Sequence, residues 1–242
     1  MLSKNQAKII QSLRHKKFRQ KYNLFVAEGV KTLQTILLSD RYKINTLYHT
    51  EKDTSFIDPR LEITQVSIDQ RMMKTISFLN TPSPILALVE TLSLDNEDYV
   101  KGIYLDGVQD PGNVGTIIRI ADWFGFDAVI RSPDSADFYS PKVVQSSMGA
   151  FANIKLLEME HSKLLESESQ LVAAHMDGID CKEFVVNESF TLIMGSEGKG
   201  LSSIFKAHEK VQNVSINGDS RRLSDSLNVS IAAGIICAEL SK

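Results

Sequence analysis

Asn113, Arg119, Glu197, Ser226 and Asn228 stand in three polar turns, each of which follows a short apolar run. The turns read "DPGNVGTIIRIADWFG" (110–125), "TLIMGSEGKGLSS" (191–203) and "VSINGDSRRLSDSLNVSIAAGIICAEL" (214–240). Amides and carboxylates at such turns hold polar ligands by hydrogen bonds, and a guanidinium grips an anion. In the first turn Asn113 is placed either to cap the following helix or to face a ligand. Arg119 falls about opposite the stripe Val114, Ile117, Ile118 and Ala121, where a solvated charge and a functional one look alike. In the second turn Gly195, Gly198 and Gly200 surround Glu197, so the backbone can bend tightly and approach a ligand closely. In the third, Ser226 is placed to cap a helix whose Val229, Ala232, Ala233 and Ile236 share a face, with Asn228 in its first turn. No turn carries GxGxxG or GxxxxGK[ST], which argues against dinucleotide or P-loop chemistry.

The elements that position these turns follow from the hydrophobic pattern. Beyond residue 100, β-rich runs at 102–105, 127–131, 153–157, 170–174, 190–194 and 211–216 alternate with helical ones at 114–124, 141–149, 161–168, 201–209 and 227–240. Such alternation predicts an α/β fold with a parallel sheet flanked by helices. Ligands of such sheets bind outside the carboxyl ends of the strands, where all three turns lie. The first 90 residues read as a smaller α/β unit. It has helices at 5–15, 30–40 and 68–80, and strands at 24–29, 44–50, 61–67 and 85–90. The expected boundaries are 1–92 for the first domain, 93–100 for a polar linker and 101–242 for the second domain.

The chain has 242 residues, 43% hydrophobic and 24% charged, which suits a globular protein with a core of its own. No apolar run approaches the ~20 residues of a membrane helix, and the N-terminal stretch lacks the pattern of a secretory signal. A cytoplasmic protein is expected. Cys181 and Cys237 have neither redox nor metal spacing and read as reduced thiols. Seven of the 27 Lys and Arg fall in residues 1–21, among them Arg14, Lys16, Lys17 and Arg19, while all 30 Asp and Glu lie beyond. A basic arm on an acidic body suggests an anionic partner such as nucleic acid, or a solvated basic helix face.

Taken together, "NVGTIIRIADWFG", "LIMGSEGKGLS" and "SLNVSIAAGI" resemble the SpoU (TrmH-like) family of the SPOUT class, RNA 2′-O-ribose methyltransferases that use S-adenosylmethionine. The resemblance covers residues 100–242. In the first domain, "KKFRQKYNLFVAEGVKTL" and "SPILALVE" resemble the family's substrate-binding domain, which is similar to small α/β RNA-binding ribosomal proteins. The resemblance implies a mostly parallel sheet with helices on both faces and a trefoil knot. It implies an S-adenosylmethionine site lined by Gly195, Ile216 and Leu227, with Gly200 shaping the turn. Asn113, Arg119, Glu197, Ser226 and Asn228 match the catalytic positions, and Arg14, Lys16, Lys17 and Arg19 would contact RNA. A homodimer through the second domain, no metal, no membrane, and structured RNA as substrate (23S rRNA rather than tRNA) are implied as well. The chain departs from the family in "INGDSRRLSDSLN", where a longer loop with Arg221 and Arg222 replaces a proline-containing turn. A non-catalytic RNA-binding protein that retains the fold, and a Rossmann-type nucleotide enzyme, are the competing readings.

Overall fold

The computed structural model describes residues 2–50, 63–95, 97–219, 221, 223 and 225–242. In chain order the elements are α1 (Lys4–Ser12), α2 (Lys16–Tyr22), β1 (Leu24–Glu28), α3 (Val30–Ser39), β2 (Ile44–His49), β3 (Thr64–Ser67), α4 (Gln70–Ile76), β4 (Ile85–Glu90), β5 (Lys101–Asp106) and α5 (Pro111–Trp123). There follow β6 (Ala128–Arg131), α6 (Pro141–Ser147), a 3-10 turn at Ala150–Ala152, β7 (Lys155–Glu158), α7 (His161–Leu165), β8 (Gln170–Asp180), β9 (Phe190–Gly195), α8 (Ser203–Lys206), β10 (Val211–Ser215) and α9 (Val229–Leu240). These form two compact units, Met1–Ser93 with Asp137–Asn153, and Leu94–Ala136 with Ile154–Lys242.

The first unit has a four-stranded sheet in the order β1-β4-β2-β3. β4 runs antiparallel to β1 and β2, and β3 runs parallel to β2. Residues 61–62 of the expected strand 61–67 lie outside the described residues. α1 is fixed at its start by a capping box: Gln6 N donates to Ser3 Oγ at 3.2 Å, and Ser3 N to Gln6 Oε1 at 2.9 Å. Ile10, Leu13, Val26, Met73, Ile76, Leu86 and Leu88 share one core. Phe25 of β1 packs on Tyr139 and Phe151 with ring centroids 4.8 and 5.6 Å apart, which ties the segment Asp137–Asn153 into this unit. The sequence pattern did not predict α2, because its basic run has no apolar periodicity.

One half-buried carboxylate in this unit has a measurable consequence. Glu28 accepts hydrogen bonds from Ser77 Oγ at 2.5 Å and Phe78 N at 2.7 Å. Burial still pushes its pKa above the ordinary 4.5, against those two bonds and the nearby Arg14 guanidinium, all of which lower it. Folded Glu28 therefore holds its proton more tightly than the unfolded chain does. Its contribution to stability is full below the unfolded pKa and is lost as pH rises through the folded one. In Glu28→Gln the amide accepts from Phe78 N and donates to Ser77 Oγ. The variant should match wild type within about 1 kcal/mol at neutral pH. Its urea midpoint should fall less than that of wild type as pH rises above 4.5. Parallel pH profiles would contradict this account.

The second unit is a six-stranded sheet in the order β10-β8-β9-β5-β6-β7, with all five pairings parallel. Every residue of β6, and all but one of β5 and of β9, is buried, as expected for strands covered on both faces. Tyr104, Ile130, Leu157, Ala173 and Ile193 point to one face and share a core with Leu164 and Leu165 of α7 and Phe205 of α8. The alternate face carries α5 and α9, which pack on each other and against β6 and β9. An α/β fold with a parallel sheet and helices on both faces is thus present. β8 runs on to Asp180, beyond the expected 174. Its register with β10 jumps from Ala173↔Asn213 to Ile179↔Val214, so residues 174–178 have no counterpart on β10.

Two helix caps differ from expectation. Asn113 does not cap α5. Asp110 does, its carboxylate accepting from Asn113 N at 2.9 Å, because Pro111 fits the first helical position and starts the helix earlier. Ser226 does not cap α9. Asn228 does, its Oδ1 accepting from Ser230 N at 3.0 Å and Ile231 N at 3.4 Å.

Candidate active site

The site lies within the second unit, beyond the carboxyl ends of β5, β9 and β10. With Asp110 capping α5, the Asn113 side chain in the first turn is released for another task. It donates from Nδ2 to Glu197 Oε1 in a short hydrogen bond, and its Oδ1 accepts from Asn228 Nδ2 at 3.1 Å and Ser230 Oγ at 3.3 Å. Ser230 Oγ lies 2.7 Å from Asn228 Oδ1. Each amide has its nitrogen toward an acceptor and its oxygen toward donors, so the network admits one orientation of both. The Glu197 charge sits at one end of this chain and the α9 N-terminus at the other.

Gly195 and Gly200 shape the turn that presents Glu197. Ser196 N donates to Gly200 O at 3.1 Å and Gly200 N to Ser196 O at 2.8 Å, which closes the turn into a bridge. Gly200 has φ +66°, a left-handed backbone that favours glycine. A Cβ on Gly195 would lie 2.5 Å from Gly200 C and 2.6 Å from Leu201 N. The exit of the turn is clamped by Asp106, at the end of β5 and only 4% exposed. Its Oδ2 accepts from Ser202 N at 2.6 Å, and Oδ1 lies 2.9 Å from His161 Nε2.

The other expected residues are placed as follows. Arg119 is exposed on α5 and makes no hydrogen bond or ion pair with any described residue. It stands about 9 Å along the helix from Asn113 and about 120° around it. Ser226 is exposed and takes no part in the amide network, whereas Ser230, which sequence reasoning missed, does. The available signal for Ser230 was a hydroxyl in the first turn of an otherwise apolar helix. Ile216 is half-buried after β10 and Leu227 is half-exposed before α9. Arg221 is held by Asp219, at 3.0 and 2.9 Å from its two oxygens; Arg222 lies outside the described residues. In the first unit, Arg14, Lys16 and Lys17 are exposed. Arg19 corrects the expectation: it is 4% exposed, donates to Leu13 O at 2.7 Å and Arg14 O at 2.9 Å, and pairs with Asp137 at 2.5 Å. Its guanidinium faces the interior and is not offered to a ligand. Cys181 and Cys237 are free and buried, and burial pushes both thiols up, which keeps them protonated. No cluster of His, Cys, Asp or Glu suited to a metal occurs among the described residues.

A parallel sheet with an amide–carboxylate network beyond its strand ends, and no phosphate-binding glycine fingerprint, defines an α/β protein with a polar ligand site at the carboxyl ends of its strands. Residues 102–238 match the SpoU rRNA Methylase family, and residues 4–87 match the MRM3-like substrate binding domain. The chain belongs to the SpoU rRNA Methylase family and is an RNA methyltransferase. It is 30% identical over 247 residues to the 23S rRNA (guanosine(2553)-2'-O)-methyltransferase RlmP of Bacillus subtilis, covering 98% of this chain and 97% of that one. A TrmH-family protein from Porphyromonas gingivalis superposes with TM-score 0.85 at 33% identity, over 99% of this chain and 98% of that one. An AdoMet-bound rRNA methyltransferase from Sinorhizobium meliloti superposes with TM-score 0.84 at 27% identity, over 99% and 95%.

The family's methyl donor is S-adenosylmethionine, and the residues present fit it. Ile216 and Leu227 show apolar surface, and their backbone N–H groups make no hydrogen bond to described residues. Ser202 Oγ, at the exit of the glycine turn, is buried without a partner.

Proposed function

We propose that this chain methylates a ribose 2′-hydroxyl in structured RNA, at a site in 23S rRNA rather than in tRNA. The observation that carries the reading is the Asn113 side chain joining Glu197 and Asn228 beside the Gly195–Gly200 turn. Gly195, Ile216 and Leu227 hold S-adenosylmethionine through backbone groups, and Gly200 sets the turn. When bound, the cofactor supplies a methyl group on a sulfonium, which leaves as a neutral thioether, so the leaving group needs no metal to neutralise it. The chain's part is alignment, worth roughly 7–11 kcal/mol of barrier in favourable cases. Asn113, Glu197 and Asn228 position the ribose and the donor, Ser226 contributes a hydroxyl at the rim, and Ser230 locks the two amides. Arg119 grips the phosphate beside the target ribose with its planar fork. The hydroxyl proton passes to solvent as the O–C bond forms.

The preference for ribosomal RNA is supported by the match of nearly the whole chain to a 23S rRNA enzyme and by the separate substrate-binding domain. Arg14, Lys16 and Lys17 of that domain, taken as residues 1–92 and joined by a linker at 93–100 to residues 101–242, contact the RNA backbone. The C-terminal segment passes through a trefoil knot, which the resemblance implies and the strand order is compatible with. The protein works in the cytoplasm; no described helix is long and apolar enough to cross a membrane. It forms a homodimer through α5 and α9, where Trp123 is 83% and Ile231 56% exposed. Light scattering that returned a single chain at micromolar concentration would exclude the dimer.

The decisive experiment maps ribose methylation across cellular RNA with and without the gene, alongside a calorimetric titration with S-adenosylmethionine. One lost site in 23S rRNA and saturable cofactor binding are expected. A lost site in tRNA would reassign the substrate. No lost site with no cofactor binding would leave a non-catalytic RNA-binding protein.

A further inference from the structure

The outer side of α2 sets two half-buried aromatic rings beside positive charge, and in its first turn local stability does not explain that charge. Lys16 and Lys17 occupy the first turn, where the helix macrodipole disfavours cations, and no acidic residue accompanies them. Lys17 and Lys21 are a like-charge pair one turn apart, which also weakens a helix. Neither these nor Lys16 pairs with any described carboxylate. Next to the Lys17–Lys21 row runs a second row, Phe18 and Tyr22. Their rings lie 6.5 Å apart with planes within 14° of each other. Lys17 Nζ lies over the Phe18 ring, 5.0 Å from its centroid, and Lys21 Nζ over the Tyr22 ring, 5.4 Å from its centroid. Tyr22 packs on the unit's core, whereas Phe18 is not part of that cluster.

A helix of this charge needs an anchor, and Arg19 supplies it. Its bonds to Leu13 O, Arg14 O and Asp137 fix the inward side of α2. At the far end Asn23 takes a left-handed conformation (φ 52°), and its carbonyl accepts from Thr91 N at 2.9 Å. The helix is thus anchored before any ligand arrives, which lowers the backbone entropy lost on binding.

We infer that α2 is a stacking shelf for an unpaired nucleotide of the RNA substrate. Phe18, extended by Tyr22, receives the base as the Lys17 ammonium swings off its ring, and Lys17 and Lys21 follow the adjoining phosphates. Aromatic faces take up bases that are splayed from a stack, not bases held in a duplex. The shelf therefore selects a loop, bulge or single strand. This rests on the RNA-substrate reading, and the test separates the two.

The full-length protein is titrated with a mixed-sequence single-stranded RNA of about 12 nucleotides and with a fully paired duplex, across a range of salt. Phe18→Ala should bind the single strand roughly 10-fold more weakly with an unchanged salt slope. Phe18→Trp should bind as wild type, and Phe18→Leu, which keeps apolar bulk without a flat face, should bind like the alanine variant. Replacing Lys17 and Lys21 together with glutamine should weaken both RNAs and flatten the single-strand salt slope by about 1.4. Unchanged S-adenosylmethionine affinity and melting temperature would show that each variant is folded. Phe18→Leu binding as wild type, or Phe18→Ala weakening duplex and single strand alike, overturns the shelf while leaving RNA binding intact. Wild type binding neither RNA would overturn the RNA reading itself.

Discussion

Arg119→Ala should lose methylation by about 10²-fold, the order of loss when a substrate-positioning contact is removed and the reacting atoms are misplaced by about 1 Å, while its affinity for S-adenosylmethionine stays near wild type. The argument begins with placement. Arg119 is exposed on α5, the helix that carries Asn113, and among described residues nothing holds its guanidinium. An unheld guanidinium on the helix that frames the site is available to substrate, and a ribose phosphate offers it a bidentate partner. It is poorly suited to be the base, because a guanidinium does not give up a proton near neutrality. The lysine variant separates these roles. As a phosphate clamp, Arg119→Lys keeps the charge but loses the fork, and should retain part of the rate with an unchanged pH–rate profile. As a base, lysine would deprotonate more readily than arginine (pKa near 10.4) and would displace that profile. Cofactor affinity lost together with normal turnover in the alanine variant would remove Arg119 from the RNA side altogether.

What the sequence revealed depended on how far apart the partners lie. β5, β6 and β9 were legible because short buried runs bounded by polar residues and glycine have few alternative readings. α5 and α9 were legible from their apolar stripes, although both starts were misplaced. Pro111 drew one start forward to Asp110, and the Asn228 side chain outcompeted Ser226 at the other. Partners remote in sequence were not legible from periodicity. Ser230 joins the site by bonding Asn113, 117 residues away, and Arg19 is turned inward by Asp137, 118 residues away. A run such as "KKFRQKY" shows seven polar or aromatic side chains and no hint that its one arginine is internal. The grouping of Asn113, Glu197 and Asn228 came from resemblance to a family, because no spacing rule links three turns spread over the second half of the chain. Their hydrogen bonds give that grouping a physical basis.

Gly195→Ala should weaken S-adenosylmethionine binding by between about 10- and 100-fold, since overpacking a closed contact costs about 1–3 kcal/mol and each decade of affinity is 1.4 kcal/mol. Gly195 ends β9 opposite Asp106 of β5, so it cannot slide along the sheet. The added methyl would meet Gly200 C at 2.5 Å, Leu201 N at 2.6 Å and Gly200 O at 2.8 Å, all backbone atoms with no rotamer to escape into. Either the end of β9 shifts or the Ser196–Gly200 bridge opens, and both displace Glu197 from Asn113. The same turn contains its own controls. A Cβ on Gly198 meets nothing within 4 Å and needs no left-handed backbone, so Gly198→Ala should bind the cofactor as wild type does. A Cβ on Gly200 also has open space, but its φ of +66° makes alanine cost roughly 1–2 kcal/mol. Calorimetric affinities should therefore fall in the order Gly198→Ala, Gly200→Ala, Gly195→Ala, with melting temperatures following the same order. If Gly198→Ala were as damaging as Gly195→Ala, the glycines would be needed for mobility or direct contact with the ligand, and the steric account of the turn would fail.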